Sequence, residues 1–187
     1  MTRFLAGLVA LTVATTAFAD PATDAVKKVE AVFEPADARP GQTVTLKITV
    51  ALADGYHTYP VVQPADEAKF SANKITFPAD GPVVYVGDLV DPVGPKSKTV
   101  DDPVAKEKYE LLYYPGGGTW VRKAVVLPTA RAGAVASKVK VKLLVCDADN
   151  CFPPKTVEVE AKLKVLDGPA VEVEKKYQAE VGKAGKK

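Results

Sequence analysis

Cys146 and Cys151 are the only cysteines in the 187-residue chain, and they share one short segment, Cys146-Asp147-Ala148-Asp149-Asn150-Cys151-Phe152-Pro153-Pro154. A sulfur pair can close as a disulfide, exchange with an outside thiolate, or contribute to a metal site. The Asp, Asn and Pro residues here favour turns, and strongly alternating sequence flanks the segment on both sides. A hairpin with the cysteines near its tip is the simple reading. Proximity then favours a Cys146–Cys151 bridge within the strict geometry that disulfides demand. Closing so short a loop contributes only ~2 kcal/mol in the chain-entropy treatment, so a staple alone is weakly motivated in a domain long enough to bury a core. Strand parity puts Cys146 on the side of Lys140 and Lys142, away from the apolar face. That predicts a sulfur within reach of another thiol, and exposed short-loop disulfides tend to be labile. Asp147 and Asp149 act in the opposite sense, since negative charge disfavours a thiolate beside it.

Few other residues offer chemistry. His57 is the only histidine, which argues against a catalytic triad or a histidine-rich metal centre. Set between tyrosines, it reads as a packed structural residue, with a neighbour of the redox site as the other reading. Tyr56, Tyr59, Tyr113, Tyr114 and Trp120 read as core or edge aromatics. Gly116-Gly117-Gly118 lacks the Lys-Ser/Thr and helix of a phosphate loop. Asp66-Glu67 and Asp101-Asp102 read as solvated loop charges. No metal and no cofactor is expected. The formal net charge is only +2, so nothing electrostatic points to nucleic acid.

The chain opens like a secretory signal. Arg3 precedes the apolar run Phe4–Ala14, and Ala17-Phe18-Ala19 is a small-x-small site before Asp20. Cleavage near Ala19 would deliver the protein to the periplasm or exterior, where a cysteine pair is expected to oxidise. The run is short for a membrane span, and no membrane span is expected in the mature chain.

Period-two alternation dominates the sequence beyond this start. Val44, Leu46, Ile48 and Val50 alternate with polar residues over Thr43–Leu52. Val139, Val141, Leu143 and Val145 do so over Lys138–Val145, and Val157, Val159, Ala161, Leu163 and Val165 over Thr156–Val165. Each predicts a strand with one buried face. Thr119–Leu127 is a further strand, and Val29–Phe33, Ile75–Phe77, Val83–Val86 and Tyr109–Tyr114 are shorter ones. Turns such as Pro40-Gly41, Asp54-Gly55 and Asp167-Gly168-Pro169 punctuate them. The pattern predicts an all-β, Ig-like sandwich with a cysteine-bearing hairpin near its C-terminal end. The expected organisation is a signal peptide over 1–19, one domain over 20–170 and a basic, flexible tail over 171–187. Asp88–Lys108, rich in Pro, Asp and Lys, reads as a long loop.

Cys-x-x-x-x-Cys-x-Pro-Pro between two alternating strands, late in an exported β-domain, resembles the N-terminal periplasmic domain of the DsbD family of thiol:disulfide interchange proteins. Gly55-Tyr56-His57-Thr58-Tyr59 is similar to a Gly-aromatic-His-x-aromatic segment early in that domain. The resemblance spans roughly Phe33–Val165. It implies an Ig-like sandwich whose reduced cysteine pair passes electrons to periplasmic oxidoreductases and is re-reduced by a thioredoxin-like domain that draws on a membrane domain. Carried onto this chain, Cys146 and Cys151 are the exchanging cysteines, and Phe152-Pro153-Pro154 forms a rigid exit from the hairpin. The implied partners are exported thioredoxin-like or other thiol–disulfide proteins. Asp88–Lys108 falls in the order of the family's shielding loop. Full-length members continue into membrane spans and a C-x-x-C module, which this sequence does not contain, so its electrons would come from a separate protein. The alternative is a non-catalytic Ig-like binding or structural module whose disulfide only pins a hairpin.

Overall fold

The computed structural model describes residues 24–101 and 106–184. The expected signal peptide, residues 1–19, lies outside the described residues. Two four-stranded sheets form the body. The first carries β1 (Val26–Glu34), β3 (Thr43–Leu52), β9 (Gly117–Val126) and β6 (Val83–Val90), in the order β1-β3-β9-β6. The second carries β2 (Asp37–Ala38), β11 (Lys155–Val165), β10 (Gly133–Leu143) and β5 (Lys74–Thr76), in the order β2-β11-β10-β5. The pairings in these two sheets are antiparallel except that of β2 with β11.

The expected all-β sandwich is what forms, and the alternation explains it. Val44, Leu46, Ile48 and Val50 of β3 are at most 1% exposed. They meet Val139 and Val141 of β10 and Ala161, Leu163 and Val165 of β11 in one apolar core. The opposite faces of β10 and β11 carry Lys140 against Glu158 and Lys138 against Glu160 in register. A slip by one residue would exchange these two sets and bury the charges, so the hydrophobic pattern fixes the register.

A third, smaller sheet closes one end. It carries β4 (His57–Thr58), β8 (Lys108–Pro115) and β7 (Lys96–Asp101), in the order β4-β8-β7. This corrects the expectation that Asp88–Lys108 is a long loop. Asp88 to Val90 finish β6, and β7 pairs with β8 from Lys96↔Tyr113 to Asp101↔Lys108. Nearly every β7 side chain is exposed. No apolar alternation therefore marks it, and its backbone ladder to β8 holds it.

The C-terminal segment also departs from expectation. Residues 171–184 are docked, ending in helix α1 (Gln178–Ala184). Val173 and Val181 pack with Val86 and Val125 on the outer face of the first sheet. The Gly87 N–H donates to the Glu180 carboxylate at 3.2 Å, and the Val171 N–H donates to the Pro40 carbonyl at 2.8 Å. Lys175, Lys176 and Lys183 occupy the exposed side. The four-residue spacing of Val173, Tyr177 and Val181 supplies the buried one.

One carboxylate ties the loop after β6 to the body. Asp91 Oδ1 accepts from the indole N–H of Trp120 at 2.6 Å and from the Val61 N–H at 2.8 Å. Tyr114 donates its hydroxyl to the neighbouring Pro92 carbonyl at 2.7 Å. Trp120 is fully buried, so losing its acceptor strands a polar N–H. Asp91→Ala is expected to lower stability by about 1–3 kcal/mol, read as a reduced urea midpoint at unchanged m-value. A change under about 0.5 kcal/mol, the range of neutral surface substitutions, would show that Asp91 is not this anchor.

Candidate functional site

Beyond Leu143 the chain stays extended through Leu144, Val145 and Cys146, turns, and returns through Cys151 and Phe152. The turn is internally bonded. Asp147 Oδ1 accepts from the N–H groups of Asp149 at 2.8 Å and Asn150 at 2.6 Å. The Asp147 N–H donates to the Asn150 carbonyl, and the Phe152 N–H to the Val145 carbonyl, both at 2.9 Å. Cys146 and Cys151 are joined as a disulfide, with Cα atoms 4.0 Å apart.

Strand β4 runs beside the first cysteine. The His57 N–H donates to the Cys146 carbonyl at 2.9 Å, and the Cys146 N–H donates to the His57 carbonyl at 3.0 Å. Asn73 locks this pairing from beneath. Its Oδ1 accepts from the Leu144 N–H at 3.0 Å, and its Nδ2 donates to the Thr58 hydroxyl at 2.9 Å. That hydroxyl donates to the Leu144 carbonyl at 2.8 Å. Thr58 and Asn73 are both buried, so this polar set is satisfied internally, as burial requires.

Cys146 is 1% exposed. Its side of the hairpin is the one that parity gives, away from the main core, but its expected accessibility is corrected. Tyr59, Ala68 and Leu111, with partly buried Leu144, Tyr109 and Val100, form a second apolar cluster that covers it. Cys151, by contrast, is exposed. The bridge therefore joins one enclosed sulfur to one open to solvent.

Polar contacts converge on the enclosed sulfur. The Tyr59 hydroxyl donates to Cys146 Sγ at 3.1 Å and lies 3.8 Å from Cys151 Sγ. His57 Nε2 is 3.2 Å from the same hydroxyl. The His57 ring meets Tyr113 edge-on with centroids 5.1 Å apart, and Lys98 Nζ lies 5.7 Å from the Tyr113 centroid. Burial, then the charge of Lys98, holds the His57 pKa below its ordinary 6.5, against the opposing pull of Asp147. Burial, then Tyr109, pushes Tyr59 above its ordinary value. Hydrogen bonds from the Asn150 and Asp149 N–H groups hold Asp147 below the usual carboxylate range, so its charge is bound into the turn.

Phe152 packs against Tyr56, with ring centroids 5.9 Å apart. Phe152 and Pro153 line an open, mostly apolar groove of about 300 Å³ together with Val26 and Val29. Pro154 is exposed and leads into β11. The sequence-level candidates thus fall in one place, and the structure adds Tyr59 and Asn73. The sequence signal for Tyr59 is the alternation His57-Thr58-Tyr59, which puts His57 and Tyr59 on one side and Thr58 on the other. Asn73 carries no such signal. Among the described residues no helix is long and apolar enough to cross a membrane.

No family profile and no curated protein matches the chain. Among solved structures, the chain is similar to the N-terminal periplasmic domain of ScsB from Proteus mirabilis, with a TM-score of 0.47 and 16% identity over 91% of this chain. The chain spans 57% of that structure's length. It is also similar to PapD-like domain 7 of human CEP192, with a TM-score of 0.35 and 12% identity over 87% of this chain and 99% of that one.

Proposed function

We propose that this protein is an exported thiol–disulfide exchange protein that carries electrons between thioredoxin-like or other thiol–disulfide partners through Cys146 and Cys151. The observation that carries this reading is the unequal exposure of the two sulfurs. An incoming thiolate needs access to a disulfide sulfur before anything else, and Cys151 provides it. Attack at Cys151 Sγ forms a mixed disulfide and breaks the Sγ–Sγ bond. The electron pair of that bond goes to Cys146. A second thiol of the donor then attacks its own sulfur of the mixed disulfide and releases Cys151 as a thiolate. The reduced pair passes the same two electrons to the disulfide of an acceptor by the reverse sequence. The signal-like start, the cysteine motif and Phe152-Pro153-Pro154 support the same reading.

A hairpin staple is less well supported. The β10–β11 register, the Asp147 turn and the Phe152 N–H to Val145 carbonyl bond already hold the two arms together. A covalent link over so short a loop adds only ~2 kcal/mol.

Titrating the mature protein against a glutathione or dithiothreitol buffer should give a reduction potential well above the roughly −300 mV of inert structural bridges. A lower potential, with slow reduction of the folded protein, would leave only a stapled module. The single-cysteine variants should differ in kind. The thiol left by Cys146→Ser is expected to react with a small disulfide at least about tenfold faster than the thiol left by Cys151→Ser, because access limits exchange. Equal rates would remove Cys151 as the entry point.

A further inference from the structure

We propose that Tyr59 is a catalytic residue of this exchange, delivering a hydrogen bond and then a proton to Cys146 Sγ as the disulfide opens, with His57 as the positioning residue that donates to the phenol oxygen. The inference rests on the exchange reading and deepens it.

The leaving sulfur sets the requirement. Cys146 is enclosed, so water does not reach the charge that bond breaking puts on it. A thiolate formed in such a site is a stronger base than one in water. Among the described residues, the donor that meets this sulfur is the Tyr59 hydroxyl, at 3.1 Å. Tyr59 is itself 2% exposed, so this donor does not trade its proton with bulk water directly.

The direction of the chain of bonds comes from counting hydrogens. A phenol has one, and it is directed at Cys146 Sγ. Its oxygen is then the acceptor toward His57 Nε2, 3.2 Å away. This assigns the Nε2–H tautomer to neutral His57, since a neutral imidazole carries one N–H. His57 is only partly buried, which gives the relay an outer end that solvent can reach. The groups facing the relay are Lys98 from β7, Tyr109 and Tyr113 from β8, and Asp147 from the cysteine turn. Burial and Lys98 oppose protonation of the imidazole, and burial keeps the Tyr59 hydroxyl protonated. The relay is thus loaded with its protons in the oxidised state.

Bonds, electrons and protons balance across the step. The lone pair of an external thiolate forms the new bond to Cys151 Sγ. The pair of the broken bond stays on Cys146 Sγ. The Tyr59 proton moves to that sulfur, the His57 Nε2–H stays on its nitrogen and holds the phenolate by its hydrogen bond, and a proton from solvent then restores the phenol. The net change is one thiolate and one proton consumed, with one mixed disulfide and one Cys146 thiol formed.

The test is the rate of reduction of the full chain by dithiothreitol, followed by acid quench and alkylation from about pH 5 to 8 and normalised to the thiolate present. Tyr59→Phe keeps the ring and should lose about tenfold or more in rate, the effect of one hydrogen bond to a charged group. His57→Gln, whose amide can still donate, should stay within about threefold of the parent, whereas His57→Leu should fall toward Tyr59→Phe. A cationic His57 strengthens the donor. The parent's normalised rate should therefore rise as pH falls through the depressed His57 pKa, below 6.5, and this step should be missing in His57→Gln. A merely structural role would move neither the pH step nor the Gln–Leu difference. A Tyr59→Phe rate within about twofold of the parent overturns the relay; should that variant not fold, equal rates for His57→Gln and His57→Leu do so. If the folded parent is not reduced at all, the exchange reading itself fails. If it is reduced and the variants match it, only the relay does.

Discussion

The backbone pairing of His57 with Cys146 is the constraint on which the rest of the site depends. Two N–H···O=C bonds, of 2.9 and 3.0 Å, lay a two-residue strand against the outgoing arm of the cysteine hairpin. From that register the alternation of side chains does the rest. Thr58 turns inward to the Leu144 carbonyl, while the side chains before and after it turn toward the disulfide. Strand β4 is too short to hold itself there, since strands of such length gain little from their own ladder. Asn73 supplies the missing rigidity by bonding both chains at once. A buried amide with all these partners is stabilising, whereas one stripped of them would cost free energy. The network therefore specifies one arrangement instead of merely permitting it.

The same pairing explains how a β-sandwich can carry an asymmetric disulfide. Two facing arms of a hairpin would ordinarily present paired side chains to the same surroundings. Here the arm bearing Cys146 is flanked by β4 and covered by Tyr59, Ala68 and Leu111, whereas the bridge that Cys151 makes is to Cys146 itself, and β2 borders the following strand only at its far end, at Lys164 and Val165. One sulfur becomes part of a small core and the other becomes its rim. Cys151 is thereby available to collision, and the fate of charge on Cys146 falls to the protein.

Strands with one dry and one wet face were legible in the sequence. Thr43–Leu52 coincides with β3, and the alternations after Lys138 and Thr156 lie within β10 and β11 and their extensions. Periodicity reports burial, and these strands are buried on one side only. Strand β7 was not legible because only Val100 among its side chains is even partly buried, so its sequence carries no period to read. The docked C-terminal segment was obscured for a different reason. Lysine count describes the exposed side of a helix, while two valines and a tyrosine determine whether it binds. Parity located Cys146 on the correct side of its strand but could not foresee what lies over it. The covering residues come from positions as distant as Tyr59, Ala68 and Leu111. Exposure is a property of tertiary contacts, and a local pattern carries only the direction in which a side chain leaves the backbone.

The acidic turn shows the same limit in electrostatics. In the sequence, Asp147 and Asp149 stand beside the cysteines as negative charges that oppose a thiolate. In the fold, Asp147 commits its carboxylate to two backbone N–H groups of its own turn. Those dipoles lower its pKa and partly offset its field. Its remaining influence is felt at His57, where it opposes the effect of Lys98. The imidazole thus feels a turn carboxylate and a strand ammonium, two charges of opposite sign from elements distant in sequence. Burial and Lys98 together outweigh Asp147 in favour of the neutral ring, and the group that meets Cys146 is the tyrosine hydroxyl, not a fixed cation. A fixed cation would stabilise a thiolate permanently and hold the pair reduced. A neutral donor that shares its proton only when the bond opens stabilises the transition without committing the pair to either redox state.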